Sequence, residues 1–140
     1  MKHILVLRGG ALGDFLVTLP FLRAVRNTWP AARLELVGNA RAGALALLDG
    51  TIDAVHAQSD SRWSPLYAEP PLPATLQTEL EKFDLVISFW PDPDGELSRH
   101  FPRRESQRFV TGSAHVSTRP AAAHFFQALP ELPYQTDFLF

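Results

Sequence analysis

An acidic side chain just past a glycine-rich turn is the residue of this chain best placed to do chemistry. The turn reads Arg8-Gly9-Gly10-Ala11-Leu12-Gly13-Asp14 and follows the apolar run Ile4-Leu5-Val6-Leu7. A carboxylate there either takes a proton from a hydroxyl, as a general base, or caps the helix that follows. Arg8 leaves the same strand end. It either neutralises a phosphate or carboxylate of a ligand, pairs with Asp14 or stands exposed to solvent. Thr18 lies four residues beyond Asp14 on the same helix face, set to touch a ligand or to bond the carbonyl of residue 14. Gly9, Gly10 and Gly13 leave backbone N–H groups open to close approach. Their spacing is not the dinucleotide fingerprint, which would need glycine where Arg8 stands. It is not a phosphate loop either, because Asp14 follows Gly13 where lysine would be needed. An acid at that helix start repels a phosphate, so the turn reads as a device for presenting Asp14.

Other candidates are weaker. Asp92 and Asp94 sit in the turn Pro91-Asp92-Pro93-Asp94-Gly95. Paired acids there hold sugar hydroxyls or a cation, or else shape their own turn. Arg99, His100, Arg103, Arg104 and Arg108 form a local basic cluster, suited to an anionic substrate or to a solvated face. His115 and Arg119 are four apart, facing a cleft or starting a helix. His124 lies between apolar neighbours and reads as half-buried. Cysteine is absent, so disulfides, thiolate metal sites and a cysteine nucleophile are excluded, and the histidines lack ligand spacing, which argues against a zinc centre.

The elements that must position these residues follow from pattern. Strands are expected at 4–7, 34–38, 52–56, 83–89 and 107–111. Helices are expected at 13–28, kinked at Pro20, and at 40–48, 75–82 and 119–129. Residues 58–73 read as loop, with Trp63, Leu66 and Tyr67 as packing anchors. The alternation predicts right-handed crossovers on a mostly parallel sheet: an α/β, Rossmann-like, three-layer fold in a single domain over 1–140. With 46% hydrophobic residues the chain has enough apolar surface for a core, which excludes general disorder. A net charge of -2 argues against non-specific nucleic-acid binding. The apolar start is too short for a signal or membrane segment, so a cytoplasmic location is expected.

The opening segment, with Thr18-Leu19-Pro20-Phe21-Leu22-Arg23-Ala24-Val25, resembles the amino-terminal motif of the ADP-heptose:lipopolysaccharide heptosyltransferases, glycosyltransferase family 9. The resemblance is strong over about residues 4–38 and moderate at 83–89. It draws on Trp29-Pro30-x-Ala32-Arg33-Leu34-Glu35-Leu36-Val37, on Phe83-Asp84-Leu85-Val86-Ile87 and on His115-x-x-x-Arg119. Gly9-Gly10 departs from the hydroxylated or bulkier turn residues usual there.

The resemblance implies the amino-terminal, acceptor-side half of a GT-B enzyme. It implies an inverting transfer of heptose or a related sugar to a lipopolysaccharide core acceptor, with Asp14 as general base. Arg8, Gly9, Gly10, Gly13, Thr18, Asp92, His115 and Arg119 are the expected substrate-binding set. The expected donor is a nucleotide-sugar of the ADP-heptose type, with no metal and no other cofactor. The expected partners are a carboxyl-terminal donor domain, absent from this length of chain, and an anionic or lipid-linked saccharide. A peripheral contact with the inner membrane fits that acceptor. A lone acceptor half is expected to be inactive. The alternative is a non-catalytic sugar- or nucleotide-binding module of the same fold.

Overall fold

Alternating faces of one short apolar strand organise the molecule. β1 (His3–Arg8) sends Ile4 and Val6 to one side and Leu5 and Leu7 to the other, all buried. A strand buried on both faces reads as a continuous apolar run, and parallel sheets require it. The computed structural model describes residues 1–67, 72–113, 124–130 and 132. Its strands are β1, β2 (Arg33–Gly38), β3 (Ala54–Ala57), β4 (Leu85–Ser88) and β5 (Arg108–Thr111). They form one parallel five-stranded sheet in the order β3-β2-β1-β4-β5. This is the expected Rossmann-like arrangement, with β1 at the centre and the chain reversing direction between β1 and β4.

Helix α1 (Leu12–Thr28) and α2 (Ala40–Leu48) cover the Ile4–Val6 face. Phe15, Leu19, Leu22 and Val25 of α1 recur at helical spacing and are buried there. Pro20 is buried inside α1, and the helix continues through it. Phe21 meets Phe89 and Phe126 edge-on, with ring centroids 5.5 and 5.6 Å apart. The other face is covered by a 3-10 segment (Ser61–Tyr67), α3 (Ala74–Glu81) and α4 (Glu96–His100). Trp63 and Leu66 are buried anchors there, as expected, whereas Tyr67 is exposed.

Two expectations change. The segment after Gly95 forms α4, which lacks an apolar period long enough to show in sequence. The late helix appears as a 3-10 turn over Phe125–Ala128, and residues 119–123 lie outside the described set.

The amino edge of the sheet is clasped by Asp84. Its Oδ2 accepts the N–H groups of Lys2 and His3 at 2.8 and 2.9 Å, and its Oδ1 accepts from Arg104 at 2.5 Å. Burial opposes its charge, but these donors outweigh it and hold the carboxyl down at about 2, from an ordinary 3.8. A depressed folded-state value stabilises the fold above the unfolded value, and that stability is lost as pH falls through the folded one. Asp84→Asn is therefore expected to cost about 1–3 kcal/mol at neutral pH. In denaturant titrations its deficit should shrink between about pH 4 and pH 2; a deficit independent of pH would refute this.

Candidate functional site

The carboxyl edge of β1 and β4 is the topological switch point, where open α/β sheets hold ligands. Four elements meet there: the glycine turn after β1, the start of α1, the segment after β3 and Phe89-Trp90-Pro91 after β4.

Arg8 ends β1 and is only 6% exposed. Its Nε donates to Thr18 Oγ1 at 2.9 Å, and its Nη2 donates to the Asp14 carbonyl at 3.3 Å. Its guanidinium lies 4.9 Å from the centre of the Phe125 ring. Burial pulls its pKa below the ordinary arginine value, opposed by the charge of Asp14. Thr18 is fully buried and donates to the Asp14 carbonyl at 2.9 Å. What these two side chains do in the structure is fasten the first turn of α1 to the end of β1. That is the backbone-bonding role weighed for Thr18, and neither side chain has surface to offer a ligand.

Asp14 stands on the fastened turn with its side chain 55% exposed. Its Oδ2 accepts the Ala11 N–H at 2.9 Å. Ala11 has no side-chain acceptor of its own, so Asp14 reaches back from the third helical position to supply half of a capping box. Among the described residues its Oδ1 has the distant Arg8 Nη2, at 3.9 Å, and no hydrogen bond. The capping role weighed from sequence is thus seen at Oδ2.

The glycines divide by role. Gly10 has φ +101°, and a Cβ there would stand 2.8 Å from Asp14 Cβ and Cγ. Only glycine lets the turn pass so close to that carboxylate. Gly13 lies inside α1, and a Cβ there would meet nothing within 4 Å. No group of the described chain requires glycine at that position.

Two clefts lined by described residues open on this edge. One of about 700 Å³ lies between Trp90-Pro91-Asp92 and Thr111-Gly112. The other, of about 470 Å³, is bordered by Gly9, Gln58, Trp63, Tyr67 and Trp90. Asp14 lines neither. Asp92 borders the first, but both of its oxygens are engaged. Oδ1 accepts from the Leu97 N–H at 2.9 Å; Oδ2 accepts from the Ser98 N–H at 3.0 Å and its hydroxyl at 2.7 Å. Burial disfavours its charge, yet these bonds hold its carboxyl below the usual range. This is the turn-shaping use weighed beside ligand binding. His115 and Arg119 lie outside the described residues.

The basic cluster does not gather at this edge. Arg104 pairs with Asp84, and Arg108 begins β5, both at the amino edge of the sheet. Arg103 bonds the Ser98 carbonyl and lies over Phe109. Trp90, Tyr67 and Gln58 were absent from the sequence-derived site. The available signal for Trp90 was its place directly after a central strand. Among the described residues no group of His, Asp and Glu converges as a metal site would require. No described helix is long and apolar enough to cross a membrane.

No family model matches the chain, and no curated protein matches it. Solved structures do. A family 9 glycosyl transferase from Veillonella parvula aligns over 96% of this chain and 42% of its own, with 21% identity and a TM-score of 0.63. E. coli heptosyltransferase WaaC with ADP-2-deoxy-2-fluoro heptose aligns over 96% and 50%, with 15% identity and a TM-score of 0.56. WaaC with ADP gives 96%, 49%, 15% and 0.57. The chain thus spans half or less of the length of these glycosyltransferases. At these identities the agreement is one of fold, and in fold the chain is a Rossmann-like domain similar to part of a family 9, heptosyltransferase-like GT-B glycosyltransferase.

Proposed function

We propose that the chain is the acceptor-side half of an inverting glycosyltransferase, with Asp14 as general base. The observation that carries this is the half-exposed carboxylate of Asp14, whose Oδ1 makes no hydrogen bond among the described residues, held at the carboxyl edge of β1 by a buried arginine and a cap through Oδ2. The acceptor hydroxyl would give its proton to Oδ1 as its oxygen bonds the anomeric carbon. The bond from that carbon to the donor's diphosphate breaks, and the diphosphate leaves with the electron pair. A nucleotide-sugar of the ADP-heptose type is the donor, bound by a second domain across the cleft. A lipopolysaccharide core saccharide is the acceptor, met in the cytoplasm or at the inner membrane face. The likeness to WaaC supports this sugar class.

Gly13 supports the same reading. Glycine inside a helix costs about 0.5–1 kcal/mol relative to alanine. Nothing in the described chain asks for it, and it stands one residue before Asp14. Open space there admits a substrate close to the base.

A second reading, a non-catalytic sugar-binding module, is favoured by one observation: both clefts are bordered without Asp14. Turnover separates the two. Asp14→Asn keeps an oxygen to cap Ala11. Assayed with the donor domain present, it should lower kcat by about 10²–10⁴-fold and leave acceptor affinity unchanged. Unchanged kcat would remove Asp14 from the role. Gly13→Ala should raise unfolding stability by about 0.5–1 kcal/mol while weakening acceptor binding. A gain in stability without loss of binding would refute close approach at Gly13.

A further inference from the structure

The smaller cleft has a chemistry of its own. Its wall is an aromatic slab in which Tyr67 and Trp90 stack at 24°, with ring centroids 6.2 Å apart. The Tyr67 hydroxyl is tied to the Pro91 carbonyl at 3.1 Å, which holds the slab in place. Trp63 is fixed by its indole N–H on the Ala57 carbonyl at 3.0 Å. The volume, about 470 Å³, suits a small molecule.

The polar lining combines the acceptors of Gln58 and Asp60 with the hydroxyls of Ser59, Ser61 and Ser64, which both donate and accept. Gln58 donates its Nε2 to the Gly10 carbonyl at 3.4 Å, which sets its Oε1 over Gly9. A Cβ at Gly9 would stand 2.8 Å from that oxygen. Asp60 uses Oδ1 on the Arg62 N–H at 3.0 Å, and its Oδ2 has no hydrogen bond among the described residues. Of the described residues bordering the cleft, Asp60 alone carries a charge. Arg62 lies outside the lining; its guanidinium is 4.2 Å from the Trp63 ring centre and reaches Glu79 at 3.2 Å.

We infer that this cleft binds an uncharged sugar ring, stacked on Tyr67 and Trp90 with its hydroxyls donating to Gln58 Oε1 and Asp60. A pyranose has C–H faces that match an aromatic plane and a rim of O–H donors that match acceptors. Among the described residues bordering the cleft, a phosphate or carboxylate on that ring would meet Asp60 and no cation, so the cleft selects by repulsion as well as by fit. As an account of acceptor choice this rests on the glycosyltransferase reading. It narrows the expected anionic acceptor to one whose ring at this subsite is neutral.

The test titrates the 140-residue chain with methyl α-D-mannopyranoside, methyl β-D-glucopyranoside and methyl β-D-galactopyranoside, and with glucose 6-phosphate and AMP as charged probes. Binding is followed by calorimetry and by the tryptophan indole N–H resonances. At least one glycoside should bind with Kd in the millimolar range and shift the Trp90 signal, and the charged probes should bind at least about tenfold more weakly. Trp90→Ala should abolish binding, and Tyr67→Phe, which keeps the ring but frees it from the Pro91 carbonyl, should weaken it. Gly9→Ala displaces only the flexible end of Gln58; it should fold normally and weaken binding several-fold. Asp60→Asn should narrow the gap between neutral and charged probes. Absence of glycoside binding to about 50 mM, equal or tighter binding of either charged probe, or indifference to both Trp90→Ala and Gly9→Ala would each overturn the inference. Asp14→Asn turnover reads a different atom, so the transferase reading and this one fail separately.

Discussion

A buried guanidinium is the constraint on which this edge of the molecule depends. Arg8 cannot be solvated where it lies, so its charge must find partners within the fold. It finds the Thr18 hydroxyl, the Asp14 carbonyl and the Phe125 face. Removing one partner of such a group leaves a buried charge uncompensated, which is far more costly than the net worth of the pair. The start of α1 is therefore held to β1 by more than the short glycine link. The position of the Asp14 carboxylate follows from that hold. Gly10 completes the arrangement by letting the backbone fold back against the side chain it presents.

The two sheet edges divide their charges. The amino edge carries Asp84 with Arg104, and Arg26 joined to Asp53 at 2.5 Å. Glu35, buried on β2, accepts from His56 at 2.7 Å and lies 3.7 Å from Lys82 Nζ. Burial opposes its charge, and the His56 bond with the nearby cations outweighs burial. The carboxyl edge is poorer in cations and richer in aromatic surface and in oxygen acceptors. Ionic bonding is thus concentrated where the fold is closed, and amphipathic surface where it opens.

Much of the fold was legible because its signals are local. The run Ile4–Leu7, the period of α1 and the alternation of strands and helices each lie within a few turns of chain. Pro20 was legible as an interruption, and α1 runs on through it. The site was legible by position and less so by role. Arg8 and Asp14 share a strand end in any reading, but the inward turn of Arg8 depends on Thr18 and on Phe125, far along the chain. The run from Arg99 to Arg108 reads as one basic cluster, yet α4 and the return to β5 carry its members to different places. Asp84 resembles an ordinary strand entry, since its three donors come from Lys2, His3 and Arg104. Tyr67 and Trp90 meet because the 3-10 segment after β3 reaches across to the end of β4.

The central place of β1 has a temporal consequence. A ribosome delivers this strand first, yet its second neighbour, β4, ends only at Ser88. Until then one flank of the nascent strand lacks its hydrogen-bonding companion, and apolar residues on both faces await cover. Such distant pairing slows acquisition of structure and lengthens the interval in which a chaperone would find the growing polypeptide.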